Sequence, residues 1–332
     1  AGMLFFNGLR EVDLRCHGFG HHIPALFASA GRPQMARGGS KSLAIALQTA
    51  ATKAGGGFLL QAEPKQIIVE GGKAVGVQLA DGQTIRAKHG VVSSLNPQQT
   101  FVDLMSPATL PPEWRSQAEQ FEYNLIAPLF GLNLNLSEAP VYKAAEKYPQ
   151  LNDALMIVLG LETIDQFHDI VRHHEAGTIP PTVMWGCTPS HFDSSQAPSG
   201  KHTAFMWEKL PYHLKGDHRN WDSEKDAHGQ EMLKLWTEFA PNLKGAVIDS
   251  FTRSAVDTAR TLPNMQNGDL LIGSFQNDQV GYNRPFAGAG QYETVIDGLY
   301  LCGSSSHPGG NITGLPGYNA AGVILGKSGK SR

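Results

Sequence analysis

A chain of 332 residues with a net charge of −3 can bury a large core as two domains or one large α/β unit, and it has no basic field of the kind that drives nucleic-acid binding. No apolar run approaches the length of a membrane span, and the opening AGMLFFNGLREVDL lacks the basic region and long apolar segment of a secretory signal, so a cytoplasmic location is expected. Cys16, Cys187 and Cys302 are far apart and without metal-type spacing, which fits reduced thiols.

Residues 1–36 are rich in Gly and Pro with little periodicity and read as the end of a preceding region. Ser40 then opens a helix as its N-cap, with Leu43, Ala44, Leu47, Ala50 and Ala51 at spacings of three and four, and Gly55-Gly56-Gly57 closes it. Strands follow at Phe58–Leu60, Gln66–Glu70 and Ala74–Leu79, with turns at Gly71-Gly72 and Asp81-Gly82. A further strand from Gly90 to Leu95 stops at Asn96-Pro97. Residues 37–103 thus form one supersecondary unit of helix, strand, ribbon and strand.

Residues 104–246 have a different texture and are expected to form a second domain, a sheet covered by helices. Its elements are a strand over Ala127–Leu136, a helix over Thr163–Glu175, strands near Thr182–Trp185 and His202–Trp207, and an amphipathic helix over Asp222–Phe239. His168, His173 and His174 lie on the first helix. His168 and His173 are five positions apart, about 140° around the axis, so a solvated polar face is expected there rather than a metal site.

The last segment, 247–332, holds a strand at Gly245–Phe251, a short apolar run Leu270–Gly273, a polar turn-rich stretch Asn277–Pro285 and a polar tail GKSGKSR. Its centre is GLYLCGSSSHPGGNITGLPGYNAAGVILG, residues 298–326. A buried strand, Leu299–Cys302, runs into a glycine-rich turn, and a helix follows with Ala320, Ala321, Val323 and Ile324 toward one face. Such a unit brings backbone N–H groups and the positive end of a helix dipole against an anionic or electron-rich group. A tight strand-to-helix turn with no ligand has the same signature.

Several segments together resemble one family, the phytoene dehydrogenase-like FAD-dependent oxidoreductases, in particular the branch of the pyridine nucleotide-disulfide oxidoreductase domain-containing protein 2 type. They are ARGGSKSLAIAL, IIVEGGKAVGVQLADG, VVSSLNP, SGKHTAFMWEKLPYHLKGD with NWDSEKD, FAPNLKGAVI, DQVGYNRP and DGLYLCGSSSHPGGNITGLPGYNAA, in the family's order. The resemblance implies a glutathione-reductase-like α/β FAD-binding fold, here its C-terminal part, interrupted by an α+β substrate domain of sheet and helices. Gly303 and Ser304 would lie near the ribityl and diphosphate side of FAD. Gly310, Asn311 and Ile312 would present backbone to the isoalloxazine ring at the start of the terminal helix, whose dipole stabilises the negative charge that grows on reduction. Pro64 stands where the family usually has a valine over the adenine side, and proline removes an N–H donor there. Ser304 stands where many flavoproteins of this fold carry an acidic residue.

These family members open with a strand, GxGxxG and a helix. That segment does not occur here, because Gly288-Ala289-Gly290 lacks the third glycine and a preceding strand. The expectation is therefore part of an FAD-dependent dehydrogenase or oxidase, acting on a small organic molecule with a second polypeptide or cleaved N-terminal fragment that grips the FAD diphosphate. His307 and Arg284 are the candidate catalytic side chains. A loop-stabilising hydrogen bond is the other reading of His307. Arg284 would pair with a substrate carboxylate or with a neighbouring domain. A flavin-dependent isomerase of the same family and a non-catalytic subunit of a split flavoprotein are the remaining alternatives.

Overall fold

The computed structural model describes residues 35–310 and 312–327; Cys16, Asn311 and the polar tail lie outside the described residues. The chain is a mixture of helix and sheet, the α/β class expected. It divides into two compact units, one holding residues 35–58 and 128–260, the other 59–127 and 261–327.

The second of these, the ribbon unit, is built on a three-stranded antiparallel sheet of β1 (Pro64–Glu70), β2 (Lys73–Leu79) and β3 (Thr84–Arg86) in that order. Gly71 and Gly72 turn β1 into β2 at φ of 57° and 79°, backbone that glycine adopts freely. A separate parallel pair joins β4 (Val91–Ser93) to β10 (Leu299–Leu301), with Leu299 opposite Val91 and Leu301 opposite Ser93. Asn96 caps the wide helical turn Gln98–Asp103 by accepting from the Gln99 amide at 2.9 Å. The core here gathers Ile67, Phe101, Trp114, Ala118, Phe286, Leu299 and Leu301. Trp114, from α2 (Pro112–Glu119), meets Phe286 edge to face at 5.2 Å and Phe101 at 5.5 Å, geometry that the ring quadrupoles favour.

The other, the sheet unit, has five antiparallel strands in the order β6 (Ile157–Leu159), β7 (Met184–Cys187), β8 (His202–Lys209), β5 (Leu129–Leu136) and β9 (Val247–Arg253). Period-two alternation sends Phe130, Leu132, Leu134, Ala204 and Met206 to one face. On that face they share a core with Trp221, Met232 and Trp236 of α4 (Trp221–Phe239). Gly229 of α4 allows close approach, since a Cβ there would stand 2.3 Å from Thr252 Cγ2. Each fully buried side chain of this cluster contributes roughly 1.5–3 kcal/mol.

Several sequence expectations change in detail. Helix α1 covers Ser40–Lys53, but Gly39 occupies its N-cap and no residue of the helix is buried. Phe58, Leu59 and Leu60 form no strand and are exposed. Leu270–Gly273 is a turn with Ile272 at φ 54°, because its peptide groups are drawn to a carboxylate and a guanidinium rather than to a neighbouring strand. His174, on α3 (Gln166–Ala176), is buried with its Nδ1 2.8 Å from the Ile170 carbonyl, so the helix face that carries it is not solvated throughout. Residues 104–127 lie in the ribbon unit, where Leu110, Trp114 and Ala118 join its core. Strand β9, which the short helix α5 (Ala255–Thr261) follows, and helix α1 lie in the sheet unit. The compact units thus divide at 58, 127 and 260 rather than at 103 and 246.

Candidate functional site

Strand β10 is wholly buried, and its parallel pairing continues where the Cys302 amide donates to the Ser93 carbonyl at 2.9 Å. Gly303 follows. A Cβ on it would stand 2.1 Å from the Ser94 carbonyl, so this glycine is required by the close approach of the two chain segments, whatever lies beyond them. The loop then folds on itself, Ser306 N donating to Gly303 O at 2.9 Å and Gly309 N to Ser306 O at 2.8 Å. Tyr292 ties the loop to α6 (Leu315–Lys327): its hydroxyl donates to the His307 carbonyl at 2.9 Å and accepts from Asn319 Nδ2 at 2.8 Å.

Beneath this loop lies the turn 269–275, gripped from two directions. Asp269 is fully buried, and its carboxylate accepts from the amides of Leu271 (2.8 Å), Gly273 (2.9 Å) and Asn124 (2.9 Å), and from Asn124 Nδ2 (3.1 Å). Arg284 is also fully buried and takes the carbonyls. Its Nη1 donates to Ser274 (2.9 Å) and Gln279 (3.2 Å), and its Nη2 to Ser304 (3.1 Å), Ile272 (3.2 Å), Gly273 (3.3 Å) and Leu271 (3.4 Å). The guanidinium lies 4.4 Å over the ring of Phe275. Gly309 and Gly310 rest on this turn: a Cβ on Gly309 would stand 2.9 Å from the Phe275 ring, and one on Gly310 3.1 Å from the Leu271 carbonyl.

Burial lowers the Arg284 pKa to about 10, and the negative charge of Asp269 opposes that shift. The guanidinium therefore stays charged at neutral pH. His307 is exposed, and its pKa is held below the ordinary value, first by partial desolvation and then by repulsion from Arg284. Both effects favour the neutral imidazole.

The structure brings Arg284, Ser304, Gly309 and Gly310 together and leads His307 out to the surface of the same loop. The Arg284 fork is filled by six carbonyls of its own unit, so it does not offer itself to a substrate carboxylate. Pro64 opens β1, an edge strand where a missing N–H is tolerated, and takes no part in these contacts. Ile312 stands at φ 60° with 87% of its surface exposed. Sequence reasoning missed Asp269 and Asn124, whose only signal was one acidic residue ahead of an apolar run.

Added Cβ atoms at Gly314 and Gly317 would meet nothing within 4 Å, so the backbone there is open. The first turn of α6 carries no acidic residue; in it Leu315 N–H donates to Thr313 Oγ1 at 3.3 Å, Tyr318 N–H donates to the Gly314 carbonyl at 3.1 Å, and Pro316 has no N–H. Ile312, Leu315 and Tyr318 present exposed apolar surface. Within the loop, Ser306 Oγ is buried with no hydrogen-bond partner among the described residues. No group of three or more His, Cys, Asp or Glu that could hold a metal occurs among the described residues.

The fold is that of known flavin-dependent oxidoreductases. The solved structure of cyclohexylamine oxidase from Brevibacterium oxydans IH-35A aligns with a TM-score of 0.57 at 13% identity, covering 98% of this chain and 64% of its own. Residues 3–130 match the family model of the flavin containing amine oxidoreductases. Pyridine nucleotide-disulfide oxidoreductase domain-containing protein 2 of Mus musculus is 28% identical over 313 residues, 92% of this chain and 53% of that protein. A limonene dehydrogenase subunit of Castellaniella defragrans is 30% identical over 328 residues, 91% of this chain and 57% of that protein. Prolycopene isomerase of Daucus carota is 27% identical over 279 residues, 83% of this chain and 41% of that protein. The chain is thus similar to phytoene dehydrogenase-like oxidoreductases, a group with dehydrogenase and isomerase members, and spans about half the length of the curated relatives it matches. Among the described residues no helix is long and apolar enough to cross a membrane.

Proposed function

We propose that this chain carries the ring end of the FAD site and the substrate-facing portion of an FAD-dependent oxidoreductase that dehydrogenates a small organic molecule. The observation that carries the reading is the strand-to-helix loop Gly303–Gly310, set on a rigid turn and leading to open glycine backbone and exposed Ile312 at the start of α6. The chemistry a bound FAD supplies is acceptance of a hydride from a substrate C–H bond. The chain's own residues do the rest. Backbone at Gly310 and Ile312 would hold the ring, with Ser304 toward the ribityl side, and the N-terminus of α6 would stabilise negative charge there. His307, neutral and exposed, is the side chain of this loop suited to take a proton from substrate.

The diphosphate grip is proposed to reside on a segment with GxGxxG, carried on the same polypeptide or on a separate one. Its support is that the curated relatives are about twice the length of the matching region. The similarity to prolycopene isomerase favours a second reading, isomerisation without net oxidation. Anaerobic addition of candidate substrates to the flavin-loaded protein tests both. Loss of the flavin colour with formation of a dehydrogenated product supports the dehydrogenase. A rearranged product from the pre-reduced protein, with no net loss of colour from the oxidised one, would replace it with the isomerase.

A further inference from the structure

The guanidinium of Arg284 is fully buried, yet every hydrogen-bond acceptor it meets is a neutral carbonyl. The nearby carboxylate, Asp269, spends its oxygens on Leu271, Gly273 and Asn124, and acts on Arg284 only through space. Buried arginines are ordinarily neutralised by a bidentate carboxylate. Here the fork instead organises backbone, and Nε has no hydrogen-bond partner among the described residues. A Cβ on Gly309 would come within 3.4 Å of that Nε, so the incompletely neutralised charge lies directly against the glycine loop. Two consequences follow from one side chain. The carbonyls of residues 271–274 and 304 are fixed in one arrangement under Gly309 and Gly310, and a positive potential is built into the same loop.

We infer that Arg284 is a positioning residue of the proposed flavin site, its fork setting the shape of the loop and its charge favouring the electron-rich reduced form of the ring bound there. This rests on the flavin reading above. A plug that merely fills space would supply the first effect without the second. The charge must therefore be separated from the shape.

The test uses the full flavin-loaded protein with Arg284→Gln and Arg284→Lys, the second guarding against a glutamine variant that fails to fold. Two quantities are measured: amide hydrogen exchange over residues 269–275 and 304–310, and the flavin midpoint potential against a reference dye. Both variants are expected to speed exchange in these segments at least tenfold. Arg284→Gln is expected to lower the preference for reduced over oxidised flavin about tenfold, a downward shift of about 30 mV for a two-electron couple. Arg284→Lys, which restores a cation, is expected to recover most of that preference at neutral pH. Unchanged exchange in either variant overturns the positioning role, and a Gln or Lys variant whose potential shows no dependence on the cation overturns the electrostatic one. Hydrogen exchange can also be read on protein without flavin, so a colourless wild type would count against the flavin reading while the clamp is still judged.

Discussion

Asp269 and Arg284 hold the same turn from opposite sides, the carboxylate receiving the amides of Leu271 and Gly273 and the guanidinium donating to the carbonyls of Leu271, Ile272 and Gly273. A polar turn can be buried beneath a loop only when its peptide groups are satisfied. These two side chains supply what a neighbouring strand would otherwise have given.

Asp269→Ala should therefore cost far more than an ordinary polar truncation. It strands the amides of Leu271, Gly273 and Asn124 in the interior, each at about 1–3 kcal/mol. A loss of roughly 3 kcal/mol or more in denaturant-determined stability is expected. A loss below about 1 kcal/mol would mean that the turn does not depend on the carboxylate.

Glu208 and His228 make a buried pair in the sheet unit, Oε2 to Nε2 at 2.7 Å. Burial raises the Glu208 pKa, and the hydrogen bond from His228 only partly offsets it. The folded state therefore holds this proton more tightly than the unfolded state. Its contribution to stability is greatest at low pH and declines as pH rises above the ordinary carboxylate value through the raised folded one. Glu208→Gln keeps an acceptor for His228 and removes the buried charge. Its unfolding midpoint relative to wild type should improve from pH 5 to pH 8. A difference that does not change with pH would contradict the assignment.

Gly303→Ala tests the joint between β10 and β4. The added methyl would stand 2.1 Å from the Ser94 carbonyl, with backbone on both sides of the clash. A loss of about 2–3 kcal/mol, the size of serious overpacking, is expected in thermal or denaturant unfolding. A neutral substitution would show that the ends of the two strands can separate freely.

Ile312 is a β-branched residue in left-handed backbone with its side chain in solvent, a combination that costs about 1–3 kcal/mol. Ile312→Gly should raise the stability of flavin-free protein by up to about 1 kcal/mol, the strain relief being reduced by the greater freedom of glycine in the unfolded chain. It should also weaken FAD binding, measured by fluorescence titration. Unchanged FAD affinity would remove Ile312 from the proposed site.

Much of this architecture was legible in the sequence because it rests on period and punctuation. The Gly71-Gly72 hairpin, the run at Leu299–Leu301 and the amphipathic stretch of α4 lie close to where alternation, glycine and helical spacing put them. The glycine loop was legible as a candidate site for the same reason. The role of Arg284 was not. Its acceptors are main-chain carbonyls, which have no residue identity to read. The apolar residues Leu270-Leu271-Ile272 resembled a strand because nothing local announces that Asp269 and Arg284 claim their peptide groups. The burial of His174 is hidden from the sequence on comparable grounds: helical spacing gives the angle of a side chain, but not what a tertiary neighbour covers.

The most direct test of the central claim is identification of the small molecule released from purified protein containing this chain and a GxGxxG-bearing segment. FAD in near-stoichiometric amount, with flavin absorbance in the intact protein, is the expected result. Protein that is folded and contains both segments, yet stays colourless and releases no flavin even after incubation with excess FAD, would contradict it.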